Sequence, residues 1–213
     1  MKSGVRLLII STLALIFFGV AAFFTRDLIF GGVVGTYEQA AADRNSYNDK
    51  WVSYDVVACL GKYAEATETT NLIPTGHTYY YVVWMKDGSF MPLAVSKKAD
   101  REYLDALTNA TYDYIDKKTE SIEMDPKTFT GTVKSQETKA KNYYDEALVK
   151  MNILGKTTHK IYYELMDCSA SKTYYRLLVG GVFLIPVLGY TVAFASIAKS
   201  KKKPSKEEQY LPK

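Results

Sequence analysis

The chain has 213 residues, 47% hydrophobic and 23% charged, proportions near the globular average that exclude a disordered tail or a collagen-like fibre. Two segments depart from that average. Leu7 to Phe24 runs 18 residues without a charge and Leu177 to Ala198 runs 22, lengths read as bilayer spans rather than buried core helices. Between them, Thr25 to Tyr175 leaves 151 residues, enough for one domain with its own core and too few for two.

At 1.5 Å per residue the spans reach about 27 Å and about 33 Å, against a hydrocarbon core of roughly 30 Å. Met1 to Arg6, the apolar run behind it and the small residues Val20-Ala21-Ala22 also have the shape of a cleavable signal peptide. An uncleaved anchor is the preferred reading. The run is longer than a usual signal core, Phe23 and Phe24 continue it past the cleavage site, and Leu28 to Val34 adds an apolar patch suited to the interface.

Charge is divided unevenly. Lys2 and Arg6 stand at the start, seven basic residues against Glu207 and Glu208 lie from Arg176 onward, and the middle holds 18 basic and 21 acidic residues. The cluster Lys199, Lys201, Lys202, Lys203 and Lys206 is the strongest positive-inside signal, so both termini are expected in the cytoplasm and the central segment outside. Arg26 and Arg176 stand alone at the outer ends of the spans, where each can snorkel to the headgroups. The sequence pI of 8.8 therefore comes from the ends. The central segment is slightly acidic and lacks the basic stripe of a nucleic-acid surface.

In chain order, the reading is a cytoplasmic N-terminus (1–6), a first span (7–24), a juxtamembrane stalk (25–50), an extracytoplasmic domain (51–167), a linker (168–176), a second span (177–198) and a basic cytoplasmic tail (199–213). Tyr37 to Lys50 is polar with an Ala-rich middle and reads as a helical stalk or flexible spacer. From Trp51, the residues Val52, Tyr54, Val56, Ala58 and Leu60 share one face at a two-residue period, predicting one long strand with a bend at Gly61. Thr78 to Met85 is the most β-prone stretch, Asp87-Gly88 follows, and Phe90 to Val95 is apolar again, which predicts a hairpin.

Ser96 is placed to cap a helix over about 97–117, with Leu104, Leu107, Thr111 and Tyr114 on one face. Past Met124-Asp125-Pro126, Phe129, Gly131 and Val133 alternate as a strand. Ser135 is placed to cap a second helix with the stripe Ala140, Tyr143, Tyr144, Ala147, Leu148 and Met151, closed at Gly155. Ile161, Tyr163 and Leu165 predict a last strand. The order is β-β-β-α-β-α-β.

A long first strand, a hairpin, a helix between strands three and four and a closing pair resemble the OB-fold, a small five-stranded barrel. The resemblance covers Trp51 to Asp167 as an order of elements. The helix between Ser135 and Leu154 departs from it, so the fold class is α+β in one of two forms: two transmembrane helices flanking an OB-like barrel with two helices, or an open antiparallel sheet with two helices on one face. The whole chain is also similar to uncharacterised two-span membrane proteins of Gram-positive bacteria, a resemblance that brings no activity with it.

Cys59 and Cys168 both fall in the outer segment, where a disulfide can persist. A bridge would close a loop of about a hundred residues, worth about 4.7 kcal/mol on the chain-entropy model; two separate thiols are the alternative. His77 and His159, the only histidines, have no Cys or Asp at ligand spacing, so neither a metal nor another cofactor is expected. Ser169-Ala-Ser-Lys172 fits a Ser-x-x-Lys pattern without its companion motifs, and Ser200 to Lys203 repeats it in the basic tail. Gly31 to Gly35 follows no strand and is no phosphate loop. Asp100, Glu102, Asp105, Asp113 and Asp116 interleave with basic residues as on a solvated helix face. No catalytic residues stand out.

Sixteen of the 18 tyrosines lie between Thr25 and Tyr175. Adjacent strand residues face opposite ways, so at least one of Tyr79, Tyr80 and Tyr81 points out of the core. With Trp84 they are the candidate ligand contacts, as stacking platforms across strands two and three; strand-forming tyrosines without a ligand are the alternative. In the second span Gly180, Gly181, Gly189 and Ala193 leave small surfaces, with Ser11 and Ala14 available in the first. Pro186 predicts a modest kink, and no ionisable residue marks an ion pathway. The expectation is a membrane-anchored binding or assembly module, with membrane lipids and another membrane or cell-surface protein as partners. Its rivals are an accessory subunit of a membrane complex and an enzyme with an unrecognised site.

Overall fold

The two apolar runs form the helices α1 (Ser3–Phe24) and α6 (Lys172–Lys201) of a computed structural model that describes residues 3–70, 73–155, 158–170 and 172–201. Both are long and apolar enough to cross a membrane, and their large side chains, among them Ile10, Leu13, Ile16, Leu184 and Leu188, are mostly exposed. The chain divides into two compact units, Met1–Ile29 with Lys172–Lys213, and Phe30–Ser171. Of the basic cluster, Lys202, Lys203 and Lys206 lie outside the described residues.

Within the first unit α1 and α6 run antiparallel. Ser11 is buried where Gly189 leaves no room for a Cβ, Gly4 packs on Ala193, and Thr12 Oγ1 and Tyr190 Oη share a hydrogen bond of 2.7 Å. Gly189 and Ala193 thus form the face that lets the helices approach, as small residues do in lipid. Gly180 and Gly181 take no part and face open space. A short helix, α2 (Arg26–Phe30), follows α1, and Arg176 Nε donates to Ile29 O at 3.0 Å.

The second unit is a seven-stranded sheet. Its strands are β1 (Val33–Thr36), β2 (Trp51–Val56), β3 (Ala58–Thr70), β4 (Ile73–Trp84), β5 (Phe90–Val95), β6 (Lys127–Ser135) and β7 (Glu164–Asp167), in the spatial order β1-β2-β6-β7-β5-β4-β3. Pairs β1–β2 and β5–β7 are parallel and the rest antiparallel. The sheet is open, with β1 and β3 as its edges.

The long first strand is broken in two at Val57. Its first half pairs with β6 and its second with β4, so one nearly continuous segment contributes to two distant places in the sheet. The break also shifts the phase. Val52, Tyr54 and Val56 face the principal core, but beyond Val57 it is Cys59 that joins that core while Leu60 faces the other cluster. The expected single face through Ala58 and Leu60 is therefore corrected: one unpaired residue inverts the alternation over the residues that follow it, as far as the next bulge. A bulge follows between Cys59 and Gly61, whose φ of +119° suits glycine.

Two helices cover opposite faces of the sheet, not one face as in the alternative form. Leu104 and Leu107 of α4 (Lys98–Ile115) enter the principal core with Tyr81, Val83, Met91 and Leu93. Tyr144 and Leu148 of α5 (Thr138–Lys150) enter a second cluster with Leu60, Val82 and Phe90. Of the predicted stripes, Leu104, Leu107 and Thr111 on α4 and Tyr144 and Leu148 on α5 are buried, while Tyr114 and Tyr143 are exposed; the predicted caps are not used. Ser96 bonds Thr78 across the hairpin and Lys97 takes the N-cap, while Ser135 ends β6 and Glu137 takes the other. The second helix ends at Lys150, before Gly155, and Asn152 just beyond it adopts the left-handed conformation and lets Ile153 N reach Leu148 O.

The hairpin turns at Asp87-Gly88 as expected. Gly88 has φ +85°, and a Cβ there would stand 2.6 Å from the His159 ring. The supposed stalk is part of the folded unit. The helix α3 (Tyr37–Ala42) follows β1, and Tyr37 is wholly buried, its hydroxyl donating to Glu164 O at 2.5 Å. The segment reads as polar because that contact is 127 residues away in sequence.

Candidate functional site

The C-terminal ends of α4 and α5 approach the edge of β3 and leave an apolar groove of about 680 Å³, within the range of small-molecule sites. Its floor is Leu60 of β3, Trp84 of β4 and Phe90 of β5; its walls are Tyr112 and Ile115 of α4 and, past the end of α5, Met151 and Ile153. Lys150 is the one charged side chain lining it, and it makes no ion pair among the described residues. Tyr112 and Ile115 are 40% and 43% exposed, so the groove is open along the helix side.

The groove exists because α4 reaches past the edge strand. Thr111 Oγ1 accepts the Cys59 backbone N–H at 3.1 Å, and Tyr112 Oη donates to Leu60 O at 3.2 Å. Two polar backbone groups at the open edge of the sheet are thereby satisfied by side chains from one helical turn, as buried backbone groups require.

The four predicted ligand contacts are dispersed rather than gathered. Tyr81 is fully buried in the principal core, its hydroxyl donating to Asp105 Oδ1 at 2.7 Å; burial and that bond push its pKa far up. Tyr79 sits half-buried with the Arg101 guanidinium over its ring and bonded to its hydroxyl at 3.0 Å. Tyr80 is on the opposite face, packed on Tyr63 and lining a second cleft of about 300 Å³ with Glu137 and Tyr143. Trp84 alone of the four lines the apolar groove. Tyr112, Ile115 and Met151 were missed as site residues: for Tyr112 and Ile115 the signal is their exposure in the last turn of α4, which reads in sequence as an ordinary frayed terminus, and Met151 reads as one more residue of the α5 stripe.

Cys59 and Cys168 are both buried and unbridged. Cys59 faces α4, and burial pushes its thiol up to about 11. Cys168 follows β7, with its backbone N–H on Ala94 O and its sulfur beside Gly131, where a Cβ would not fit; burial raises its pKa as well. The carboxylates of α4 each have a structural partner: Asp100 pairs with Lys127, Glu102 with Lys98, Asp105 with Tyr81, and Asp113 and Asp116 with Lys118. His77 stands 3.2 Å from Glu65 and His159 lies over Gly88. Among the described residues no group of three or more His, Cys, Asp or Glu could hold a metal ion. Ser171 of the Ser-x-x-Lys pattern lies outside the described residues.

An α+β unit flanked in sequence by two helices of membrane-spanning length is the class of protein these features define. Residues 1–193 match the family described as domain of unknown function DUF8577, and the chain belongs to that family. No curated protein and no solved structure matches it.

Proposed function

We propose that this chain is a membrane-anchored binding module whose site is the apolar groove beside Trp84. Both α1 and α6 cross the cytoplasmic membrane, the termini are cytoplasmic and the sheet domain is displayed outside, as the clustering of Lys199 to Lys206 favours. The exposure of apolar side chains along both helices supports insertion, since a core helix of a soluble protein would bury them.

The domain is read as OB-like. What supports this is the first strand pairing with strand two on one side and strand four on the other, through β3–β4 and β2–β6, with α4 between the third and fourth strands. In this reading β1 and α3 are additions at one edge, and α5 covers the outside of the sheet.

Binding rather than catalysis is supported by the state of the nucleophiles. Both thiols are buried and held protonated, and the α4 carboxylates are committed to ion pairs or hydrogen bonds. The single observation that carries the proposal is an open apolar groove of ligand size lined by one cation, Lys150, that makes no ion pair among the described residues. Its test is a photoreactive benzoylphenylalanine in place of Ile115 in intact cells, followed by mass spectrometry. Capture of one discrete species, lost when Met151 is replaced by Glu, is the expected result; capture that ignores Met151→Glu contradicts it.

A second reading, an accessory subunit of a larger membrane complex, draws on Gly180 and Gly181. They remain open after α1 and α6 have packed together, and small residues favour close helix contacts in lipid.

A further inference from the structure

On the binding-module reading above, we infer that the groove holds the hydrocarbon chain of a single-chain anionic amphiphile drawn from the membrane, with its charged head at Lys150. The walls are Leu60, Trp84, Phe90, Ile115 and Met151, apolar surfaces that favour burial of methylene groups. Met151 is unbranched and adapts to a flexible chain.

The backbone beside the groove disfavours a peptide. An extended peptide gains affinity by pairing with a free sheet edge, but here the Cys59 N–H is held by Thr111 and the Leu60 carbonyl by Tyr112. A hydrocarbon chain needs neither group. The charge decides the head: the one charged lining residue is cationic and has no ion pair among the described residues, so a phosphate or carboxylate headgroup is matched and a cationic one is repelled. Supply follows from the anchors, because tethering at both ends keeps the domain at high effective concentration near lipid.

The sequence provides an internal reporter. Trp51 and Trp84 are the only tryptophans, and neither lies in α1 or α6. Trp51 is buried in β2, so a brominated acyl chain that stays in the bilayer leaves emission little changed, while one that enters the groove quenches Trp84 on contact. The experiment uses the full chain in phosphatidylcholine nanodiscs, titrated with lysophosphatidylglycerol carrying a dibrominated stearoyl chain.

Saturable quenching is expected, absent in Trp84→Phe and in Ile115→Glu. Lys150→Gln is expected to weaken binding about tenfold for the glycerol headgroup, the size of one charge-assisted contact, and to leave the phosphatidylcholine analogue unchanged. Ile115 and Lys150 are surface positions, and retained far-UV dichroism shows that each variant is folded. Quenching that does not saturate, or that is equal in wild type, Ile115→Glu and Lys150→Gln, overturns the assignment. If quenching is absent while the photoreactive residue at position 115 still captures a discrete partner, the lipid assignment fails and the binding module stands; if both are absent, both fail.

Discussion

The hydroxyl of Tyr112 donates to the Leu60 carbonyl at 3.2 Å, tying the last turn of α4 across the open edge of β3. This contact caps an edge-strand acceptor and builds one wall of the apolar groove. Replacing Tyr112 by Phe keeps the wall and removes the cap. The expected cost is about 1 kcal/mol, the net value of one hydrogen bond, which lowers the unfolding midpoint by about 2–4 °C for a chain of this size. A larger loss in a thermal melt would mean that the capped edge controls more of the fold than this single bond.

The register of β2 makes a sharper prediction. Val56 is wholly buried in the principal core and Asp55 is exposed, bonded to Thr128 and paired with Lys86. Val56→Asp places a charge among apolar side chains and is expected to cost several kcal/mol, comparable to the stability of a whole domain. Asp55→Ala removes surface contacts worth about 1 kcal/mol or less. Parallel denaturant titrations of the two variants check this, and equal midpoints would contradict the register of β2.

Much of this arrangement is legible locally and some of it is not. The Asp87-Gly88 turn and the stripes Leu104-Leu107-Thr111 and Tyr144-Ala147-Leu148 follow from turn chemistry and helical period, which act over a few residues. The flip at Val57 is hidden because Val56, Val57, Ala58, Cys59 and Leu60 are all apolar, so either phase fits the pattern. Burial of Tyr37 depends on Glu164, and the groove depends on two helix ends meeting over a third element. Alternation shows that Tyr79, Tyr80 and Tyr81 diverge, but not that Asp105 and Arg101 occupy two of them.

Buried thiols give the pH dependence its sign. Burial raises the Cys59 pKa from 9.0 to about 11, so the folded state holds a proton that the unfolded chain releases. The associated stability is full below about pH 9 and is lost as the pH rises to about 11, amounting to about 3 kcal/mol. Tyr54, raised to about 12 by burial, acts in the same direction at higher pH. Unfolding midpoints measured from pH 8 upward are expected to fall, and to fall less in Cys59→Ala. A flat profile would contradict the burial of Cys59.

Gly189 sets the approach of the two apolar helices, since a Cβ there collides with Ser11. Gly189→Leu is expected to separate α1 from α6 and to break the Thr12–Tyr190 hydrogen bond. Thermal stability in detergent then drops, while Gly180→Leu, in open space, leaves it unchanged. Equal effects of the two substitutions would mean that the helices pack through another face.

The proposal that the domain is anchored in the membrane and faces outward is tested most directly by labelling intact cells with a membrane-impermeant maleimide. Both native cysteines are buried, so an introduced thiol is the reporter. Cysteine in place of Glu120, an exposed residue beyond α4, is expected to label in whole cells, and cysteine in place of Lys206 only after permeabilisation. Labelling of position 206 in whole cells, or protection of position 120, would contradict the account.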